Sequence, residues 1–262
     1  MATYSVLGAT GNCGQAIMQL LLKHPDARVK AYCRNKDKLH RLVPETMNNP
    51  RVEIFNGSIT DVELLGKAMY GAQAVFLTAT TNDNIPGCHI SQDLVRTVIK
   101  ALEQIKNGSS SVTPMPRLVL LSSATLDPWI SRKQPFVNSI IRKSAWHVYK
   151  DLELAEEYLR QHESWVSCVY IKPGGLSVDI QRGHRLTLDD EESFVSYLDI
   201  AAGMIESADA IDGKWDNKNV GIVNAGGKAK FPAGTPGCIF WGLMRYYFPF
   251  LHNYMPTGTG PS

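Results

Sequence analysis

The chain has 262 residues, of which 44% are hydrophobic and 20% charged, a composition that suits one α/β domain with a sizeable core. Its net charge of +2 gives no electrostatic basis for binding nucleic acid or an anionic membrane surface. The sequence shows neither a signal peptide nor the run of about 18 apolar residues that predicts a membrane span. Five scattered cysteines without metal-ligand spacing favour a reducing compartment, so we expect a cytoplasmic protein without a metal site.

Short β-branched apolar runs alternate with longer amphipathic stretches along most of the chain. The predicted strands cover 3–7, 28–32, 52–55, 74–77, 118–121, 166–171 and 220–223, and the predicted helices cover 12–24, 61–70, 90–106, 144–162 and 195–207. This alternation is typical of a Rossmann-type α/β fold, a doubly wound parallel sheet with helices on both faces. In such a fold, cofactor and substrate bind beyond the carboxyl ends of the strands.

The first loop, "VLGATGNCGQ" at 6–15, carries three glycines at a spacing of three between a strand and an amphipathic helix. Glycines allow a tight turn and a close backbone approach, and the helix N-terminus offers unpaired N–H groups to a pyrophosphate. The predicted dinucleotide loop comprises Gly8, Thr10, Gly11, Asn12, Cys13 and Gly14. At this helix N-terminus Cys13 is either a thiol of lowered pKa or a small packing residue.

The end of the second strand, "AYCRNKDKL" at 31–39, indicates which dinucleotide is bound. An acidic residue here would bind the ribose 2′-hydroxyl of NAD. Arg34 stands there instead, twenty residues after Gly14, with Lys36 and Lys38 close behind. Because a guanidinium suits a 2′-phosphate, the sequence predicts NADP(H); the alternative is that Arg34 is only a solvated surface charge.

Three later segments depart from the strand–helix alternation. Residues 107–116, rich in Ser, Pro and Gly, predict a surface loop. The acidic run at 189–192 is interpreted as the start of the helix near 195, where its charge favours the helix dipole. Residues 226–262 are rich in aromatic residues and proline. We expect them to form a small, irregular C-terminal part beside the substrate cleft of a Rossmann domain at 1–225, with a lid or a membrane-touching patch as alternatives.

Several motifs together carry a family resemblance over residues 1–225: "GATGNCG", "RNKDKL", "NGSITD" at 56–61, "LSSAT" at 121–125, "LELAEEYLR" at 152–160 and "IKPGGL" at 171–176. In combination they resemble the atypical short-chain dehydrogenase/reductases, in the group around the fungal regulator NmrA, flavin reductases and isoflavone reductases. More narrowly, "SSATLDP", "VYKDLELAE" and "PGGLSVD" are similar to the averufin oxidase A family. Those are fungal proteins encoded with aromatic polyketide pathways such as those of xanthones and anthraquinones.

The resemblance implies further cofactor contacts in the loops after the third, fourth, fifth and sixth strands. These are Ser58 and Ile59 against the adenine, Thr78, Ala79 and Thr80 beside the nicotinamide ribose, Ser122 after the fifth strand, and Pro173, Gly174 and Gly175 flanking the nicotinamide. From the residues alone, Asp61 is predicted to cap the helix that follows it.

The catalytic pattern of the family is incomplete in this chain. Typical members carry a serine after the fifth strand and a Tyr-x-x-x-Lys pair on the next helix. Ser122 and Ser123 stand at the serine position, but the helix "SAWHVYKDLELAEEYLR" offers the Tyr–Lys pair in no register. Aligning "AEEYLR" with its usual counterpart places Val148 and Leu152 at the two positions. The standard dyad is therefore absent.

Three interpretations of this helix remain open. Tyr149 donates a proton, with His147 or Lys150 adjusting it. Alternatively His147 is the acid or base, because histidine titrates near neutrality. Or the site binds cofactor without proton transfer. On a helix only His147 and Lys150 share a face, which weakens a joint role with Tyr149.

These observations lead to one preferred function and two alternatives. The preferred function is an NADP(H)-dependent oxidoreductase acting on a small aromatic substrate, an anthraquinone- or xanthone-type polyketide of fungal secondary metabolism. The alternatives are a non-catalytic, NADP-binding redox sensor of the NmrA type with a protein partner, and a cofactor-retaining protein that assists a ring rearrangement or dehydration. Whether the chain forms a homodimer stays open.

Overall fold

The computed structural model describes residues 1–108 and 114–258. The strands in this part are β1 (Ala2–Leu7), β2 (Ala27–Cys33), β3 (Val52–Asn56), β4 (Ala74–Leu77), β5 (Arg117–Leu121), β6 (Cys168–Ile171), β7 (Leu176–Ser177), β8 (His184–Thr187), β9 (Val195–Ser196) and β10 (Asn219–Asn224). The α-helices are α1 (Asn12–Lys23), α2 (Lys36–Leu42), α3 (Val62–Met69), α4 (Ile90–Gly108), α5 (Pro135–Ser144), α6 (Trp146–Arg160), α7 (Tyr197–Asp209) and α8 (Thr235–Tyr247). The strands and helices predicted from sequence all occur, with ends shifted by a few residues.

Eight strands form one sheet in the order β3-β2-β1-β4-β5-β6-β10-β8. The pairings from β3 to β10 are parallel, and β8 alone runs antiparallel to its neighbour β10. The chain winds outward in one direction from β1 to β3 and in the other from β4 onward. The switch point therefore lies between β1 and β4, where doubly wound folds bind their ligands. The predicted fold class is confirmed.

The sheet is covered on both faces, so its central strands are buried throughout. All four residues of β4 are buried, and consecutive side chains enter opposite cores because strand side chains alternate. Phe76 packs in the cluster that contains Ile17 of α1 and Met204 of α7. Val75 packs in the cluster formed with α3, α4 and α6. In the described residues no helix has the length and apolar character needed to cross a bilayer.

The structure differs from the sequence predictions in the second half of the chain. Helix α5 escapes prediction, and none of its residues is buried. The acidic run at 189–192 does not begin a helix, so that interpretation is wrong. Helix α7 begins at Tyr197, its N-cap is Ser196, and its first-turn acid is Asp199. The predicted loop at 107–116 falls mostly outside the described residues, with α4 reaching Gly108.

Residues 226–258, here named the C-terminal extension, contain more regular structure than their sequence suggests. Helix α8 is followed by a 3₁₀ helix at Pro249–Tyr254. Helix α8 packs so closely on the end of α5 that a Cβ added at Gly242 would collide with the Ser144 carbonyl. Asn84 donates from its side chain to the Gly242 carbonyl (2.9 Å), and the Gly258 N–H donates to Asp83 (2.7 Å). The loop after β4 thus anchors the extension.

Candidate active site

The glycine loop after β1 is shaped by close backbone packing. Gly8 has a φ of +102°, and a Cβ added there would lie 2.6 Å from the Ala79 nitrogen, so only glycine fits. A Cβ at Gly14 would collide with the Gly8 carbonyl. At Gly11 the nearest atom to an added Cβ is 3.4 Å away, so this glycine faces more open space. The loop therefore presents bare backbone at the switch point.

The N-terminus of α1 fits a pyrophosphate. Gly11 is its N-cap and supplies no side chain, and the first turn contains no acidic residue. The first N–H groups of the helix therefore lack a side-chain partner, and the helix dipole makes this end positive. The Asn12 side chain lies near the hydroxyl of Tyr197 from α7, and the Thr10 carbonyl accepts from Gln15 (3.1 Å).

Cys13 is a packing residue. Its thiol is buried and donates to the Met204 sulfur of α7 (3.5 Å). Burial raises the pKa of Cys13 to about 12. The alternative of a lowered pKa is contradicted, and only the backbone of Cys13 belongs to the loop that faces the ligand.

The ends of β2 and β3 form a corner with exposed positive charge. Arg34 and Lys38 are exposed, and the Asn35 side chain caps α2 by accepting from the Lys38 N–H (2.8 Å). The Tyr32 hydroxyl donates to the Ser58 carbonyl (2.6 Å), which holds the 58–59 loop against the end of β2. Because a 2′-phosphate needs cations beside an adenine groove, the residues at this corner fit that group.

The loops after β4 and β6 lie on the other side of the glycine loop. Thr78 is buried and its hydroxyl donates to the Leu7 carbonyl (3.0 Å), so it joins β4 to β1, while Thr80 is exposed. After β6, Pro173 is buried, and the Gly175 N–H donates to the Ser193 hydroxyl (2.7 Å). The 191–194 segment therefore closes over the 173–175 turn.

Ser123 and Tyr149 form a hydroxyl pair at the carboxyl end of β5. Ser123 Oγ donates to Tyr149 Oη (3.1 Å) and accepts from the Thr125 N–H (3.3 Å). Tyr149 lies in the first turn of α6. Burial raises its pKa, although the hydrogen bonds from Ser123 and Thr125 oppose that shift. The phenol thus keeps its proton at neutral pH and can donate it.

Neither His147 nor Lys150 adjoins this pair in the described structure. The His147 ring lies near the Arg245 backbone of α8, burial lowers its pKa, and the His147 N–H donates to the Asn84 side chain (2.7 Å). Lys150 is exposed and pairs with Glu153 (3.7 Å). The structure therefore brings together Ser123 and Tyr149 and directs the other two side chains elsewhere.

Ser122 belongs to a separate buried network that sequence reasoning missed. Its hydroxyl donates to the Glu156 carboxylate, and Lys172 Nζ donates to Ser122 Oγ (3.1 Å) and to Glu156 Oε1 (2.5 Å). Lys172 is only 1% exposed. This network joins the ends of β5 and β6 to α6. Its only signals in the sequence were a lysine directly after a buried strand and a glutamate on the inner face of a helix.

Three further residues enclose the site from distant parts of the chain. Tyr197 reaches the glycine loop from α7, and Cys238 of α8 lies near both tyrosines. Burial is the main cause that raises the pKa of Tyr149 and of Tyr197, and the nearby Cys238 raises both pKa values further. Glu191 approaches from the 191–194 segment, and its charge also raises the pKa of Tyr149. No local sequence signal marks these residues, because only the tertiary fold brings them together.

The fold and this site define a dinucleotide-binding protein of the Rossmann type. The NAD(P)H-binding family model matches residues 8–210, and the chain belongs to that family. Among its relatives are an oxidoreductase of Pestalotiopsis microspora, 54% identical over 100% of both chains, and an oxidoreductase of Aspergillus novofumigatus, 53% identical over 99% of this chain and 98% of the relative.

Solved structures share the fold at low identity. A short-chain dehydrogenase/reductase from Veillonella parvula in complex with NADP has a TM-score of 0.65 and 22% identity, over 88% of this chain and 99% of that one. An anaerobillin reductase from Escherichia coli has a TM-score of 0.64 and 20% identity, over 87% of this chain and 100% of that one.

Proposed function

We propose that this protein is an NADP(H)-dependent oxidoreductase that acts on an aromatic polyketide of the anthraquinone or xanthone type in fungal secondary metabolism. The observation that carries the proposal is the Ser123–Tyr149 hydroxyl pair. It lies at the carboxyl end of β5, on the same edge of the sheet as the glycine loop. A proton donor beside a dinucleotide site is the arrangement that carbonyl reduction requires.

Different residues of the chain would hold different parts of the cofactor. The N-terminus of α1 would hold the pyrophosphate, Arg34 and Lys38 the 2′-phosphate, and the 173–175 turn one side of the nicotinamide. When bound, NADPH supplies the hydride. The choice of NADP(H) over NAD(H) is supported by Arg34 at the end of β2 and by the NADP complex of the Veillonella parvula protein.

Ser123 and Tyr149 would position the reacting carbonyl and supply the proton. Both hydroxyls can turn toward a carbonyl oxygen and donate to it, since a hydroxyl hydrogen rotates to suit its acceptor. Tyr149 then gives its proton to the oxygen as charge develops there. Because burial raises its pKa, the phenol holds its proton until hydride addition makes the carbonyl oxygen basic enough to take it.

The substrate class rests on the family resemblance and on the fungal relatives. The chain resembles the averufin oxidase A family, and the relatives at 53–54% identity are fungal oxidoreductases. Helix α8 and the 191–194 segment, which carry Cys238 and Glu191 near Tyr149, would form the walls of the cleft. In this proposal the C-terminal extension is the part that receives the flat aromatic rings.

The second candidate is a non-catalytic redox sensor. The feature that favours it is Tyr149, whose hydroxyl has a serine partner and, in the described residues, no lysine that hydrogen-bonds it. A sensor of this kind would bind oxidised and reduced cofactor through the same loop without consuming either.

The deciding experiment measures the affinities of the purified protein for NADPH, NADP and NADH, then follows NADPH absorbance after adding hydroxyanthraquinones. We expect preferred binding of NADPH over NADH, and consumption that is lost in Tyr149→Phe. Tight, equal binding of NADPH and NADP without consumption would favour the sensor. Failure to bind any dinucleotide would overturn both candidates.

A further inference from the structure

The carboxylate of Glu191 stands apart from the other acids of its loop. Asp190 pairs with Lys133, and Glu192 accepts from the Asn224 N–H (3.1 Å) and side chain (2.8 Å). In residues 1–108 and 114–258, no side chain or N–H is found to hydrogen-bond or ion-pair with the Glu191 carboxylate. Among these three neighbouring acids, Glu191 alone therefore lacks a hydrogen-bonding or ion-pairing partner.

Its position places this carboxylate inside the candidate site. One of its oxygens rests on the Cα of Gly174, so closely that a Cβ there would collide with it. Gly174 belongs to the turn after β6 that would flank the nicotinamide, and the charge of Glu191 acts on Tyr149. The side chain is half-buried and lies against the turn.

A half-buried carboxylate without a hydrogen bond is unfavourable, because it has lost part of its hydration and gained nothing in return. Burial, together with the neighbouring charge of Asp190, raises the pKa of Glu191. Such strained ionisable groups are concentrated at functional sites, where a ligand supplies the missing partner. The missing partner of a carboxylate is a hydrogen-bond donor or a cation.

We propose that Glu191 selects the substrate by accepting a hydrogen bond from a phenolic hydroxyl adjacent to the carbonyl that Ser123 and Tyr149 hold. This inference rests on the proposed function. It commits the site to neutral hydroxylated aromatic carbonyl compounds. Ionised substrates such as aromatic carboxylates are repelled, because their charge would face the charge of Glu191 at short range.

The test compares the affinity of a hydroxyanthraquinone with that of its O-methyl ether, measured in the presence of saturating NADP. The variant Glu191→Gln removes the charge but keeps an acceptor oxygen, and Glu191→Leu removes both the charge and the acceptor. The matched control is Asp190→Asn, which removes a charge from the same loop but outside the site. NADPH affinity and the thermal unfolding midpoint are measured for every variant.

We expect Glu191→Leu to weaken binding of the hydroxyanthraquinone by about tenfold or more, the usual size of a hydrogen bond to a charged group. In that variant, the affinity for the O-methyl ether is expected to stay within about twofold of wild type. The hydroxyanthraquinone affinity of Glu191→Gln should fall between those of Glu191→Leu and wild type. The hydroxyanthraquinone affinity of Asp190→Asn should match that of wild type. An anthraquinone carboxylate should bind better to Glu191→Gln than to wild type.

Four results would overturn the inference. Equal losses for the hydroxylated and methylated ligands would show that Glu191 only shapes the loop. A loss of NADPH affinity with unchanged substrate discrimination would assign its partner to the nicotinamide carboxamide. If the wild type neither binds hydroxyanthraquinones nor consumes NADPH with them, the proposed function fails and this inference fails with it. If the wild type binds hydroxyanthraquinones, but the Glu191 variants distinguish the hydroxylated from the methylated ligand as well as the wild type does, only this inference is refuted and the proposed function stands.

Discussion

The hydroxyl of Ser123 lies 3.1 Å from the hydroxyl of Tyr149, across 26 positions of sequence. Ser123 is fixed because it lies two residues beyond the end of β5 and caps the 3₁₀ turn at Ala124–Leu126. Tyr149 is fixed because it occupies the first turn of α6, whose inner face is buried against the sheet. Two rigid elements thus hold two proton-bearing groups at hydrogen-bonding distance, at the edge of the sheet where the dinucleotide loop lies.

Tyr149→Phe removes the proton donor and keeps the aromatic ring. We expect kcat/KM for NADPH-dependent reduction to fall by about 10²–10⁴-fold, the usual contribution of a positioned general acid. NADPH affinity should not change, because Tyr149 takes no part in the glycine loop. Tyr158→Phe, further along α6, is the control and should keep full activity. Undiminished activity of Tyr149→Phe would remove this residue from the mechanism.

Arg34→Ala tests the choice of cofactor. We expect NADPH affinity to fall about tenfold or more, since a charge-assisted hydrogen bond to the 2′-phosphate is lost, while NADH affinity stays the same. Arg28, another exposed cation on β2, is remote from the end of the strand, and Arg28→Ala serves as the control. The measurement is fluorescence titration with each dinucleotide. Parallel losses for NADPH and NADH would place Arg34 outside the 2′-phosphate site.

Lys172→Met tests the buried network with Glu156 and Ser122. Removing the ammonium leaves the Glu156 carboxylate buried without its counter-charge. We expect the free energy of unfolding to fall by about 3–5 kcal/mol, measured in urea. In the double variant Lys172→Met/Glu156→Gln that charge is gone, so most of the loss should be recovered. A double variant as unstable as Lys172→Met would mean that packing of the lysine stem, rather than the ion pair, stabilises this region.

Alkylation by iodoacetamide tests the cysteine environments. Cys13, Cys33 and Cys168 are buried, whereas Cys88 and Cys238 are partly exposed and should be the residues modified in the folded protein. Burial raises the pKa of both reactive thiols. Only the thiolate reacts, so the rate should be slow at pH 7 and still rise above pH 8.5, where an ordinary thiol is already half ionised.

Modification of Cys238 should also abolish activity, because this thiol lies near Tyr149 and Tyr197. Cys238→Ser should resist that inactivation, and Cys88→Ser should not. Peptide mass mapping after short exposure gives the sites. Early modification of Cys13 would contradict its burial against Met204.

The sequence predicts the dinucleotide loop because its evidence is local. A strand, three spaced glycines and an amphipathic helix follow one another within a few residues, and the close contact of Gly8 with Ala79 explains the glycine. The family resemblance in turn directs attention to Ser123 and Tyr149. These parts of the site need no knowledge of the tertiary structure beyond the order of the strands.

The remaining parts of the site depend on contacts between distant segments. The Lys172–Glu156 ion pair and the approach of Tyr197 to the glycine loop form only once the strands and helices pack in register, and the sequence does not show that these residues meet. Helix α5 escapes prediction for a different reason. Its apolar residues recur at a helical spacing, but the helix is short and Phe136, Val137 and Ile140 stay exposed instead of facing the core.

The attachment of the C-terminal extension has a consequence for how the protein unfolds. Its bonds to Asn84 and Asp83 span 158 and 175 positions of sequence, and in α8 only Gly242 and Arg245 are buried. A segment with such distant attachments and so little buried surface belongs to the least stable cooperative unit of a fold. With rising denaturant we expect this unit to open before the sheet melts, so that any NADPH-dependent activity disappears while the circular dichroism of the Rossmann core is still intact.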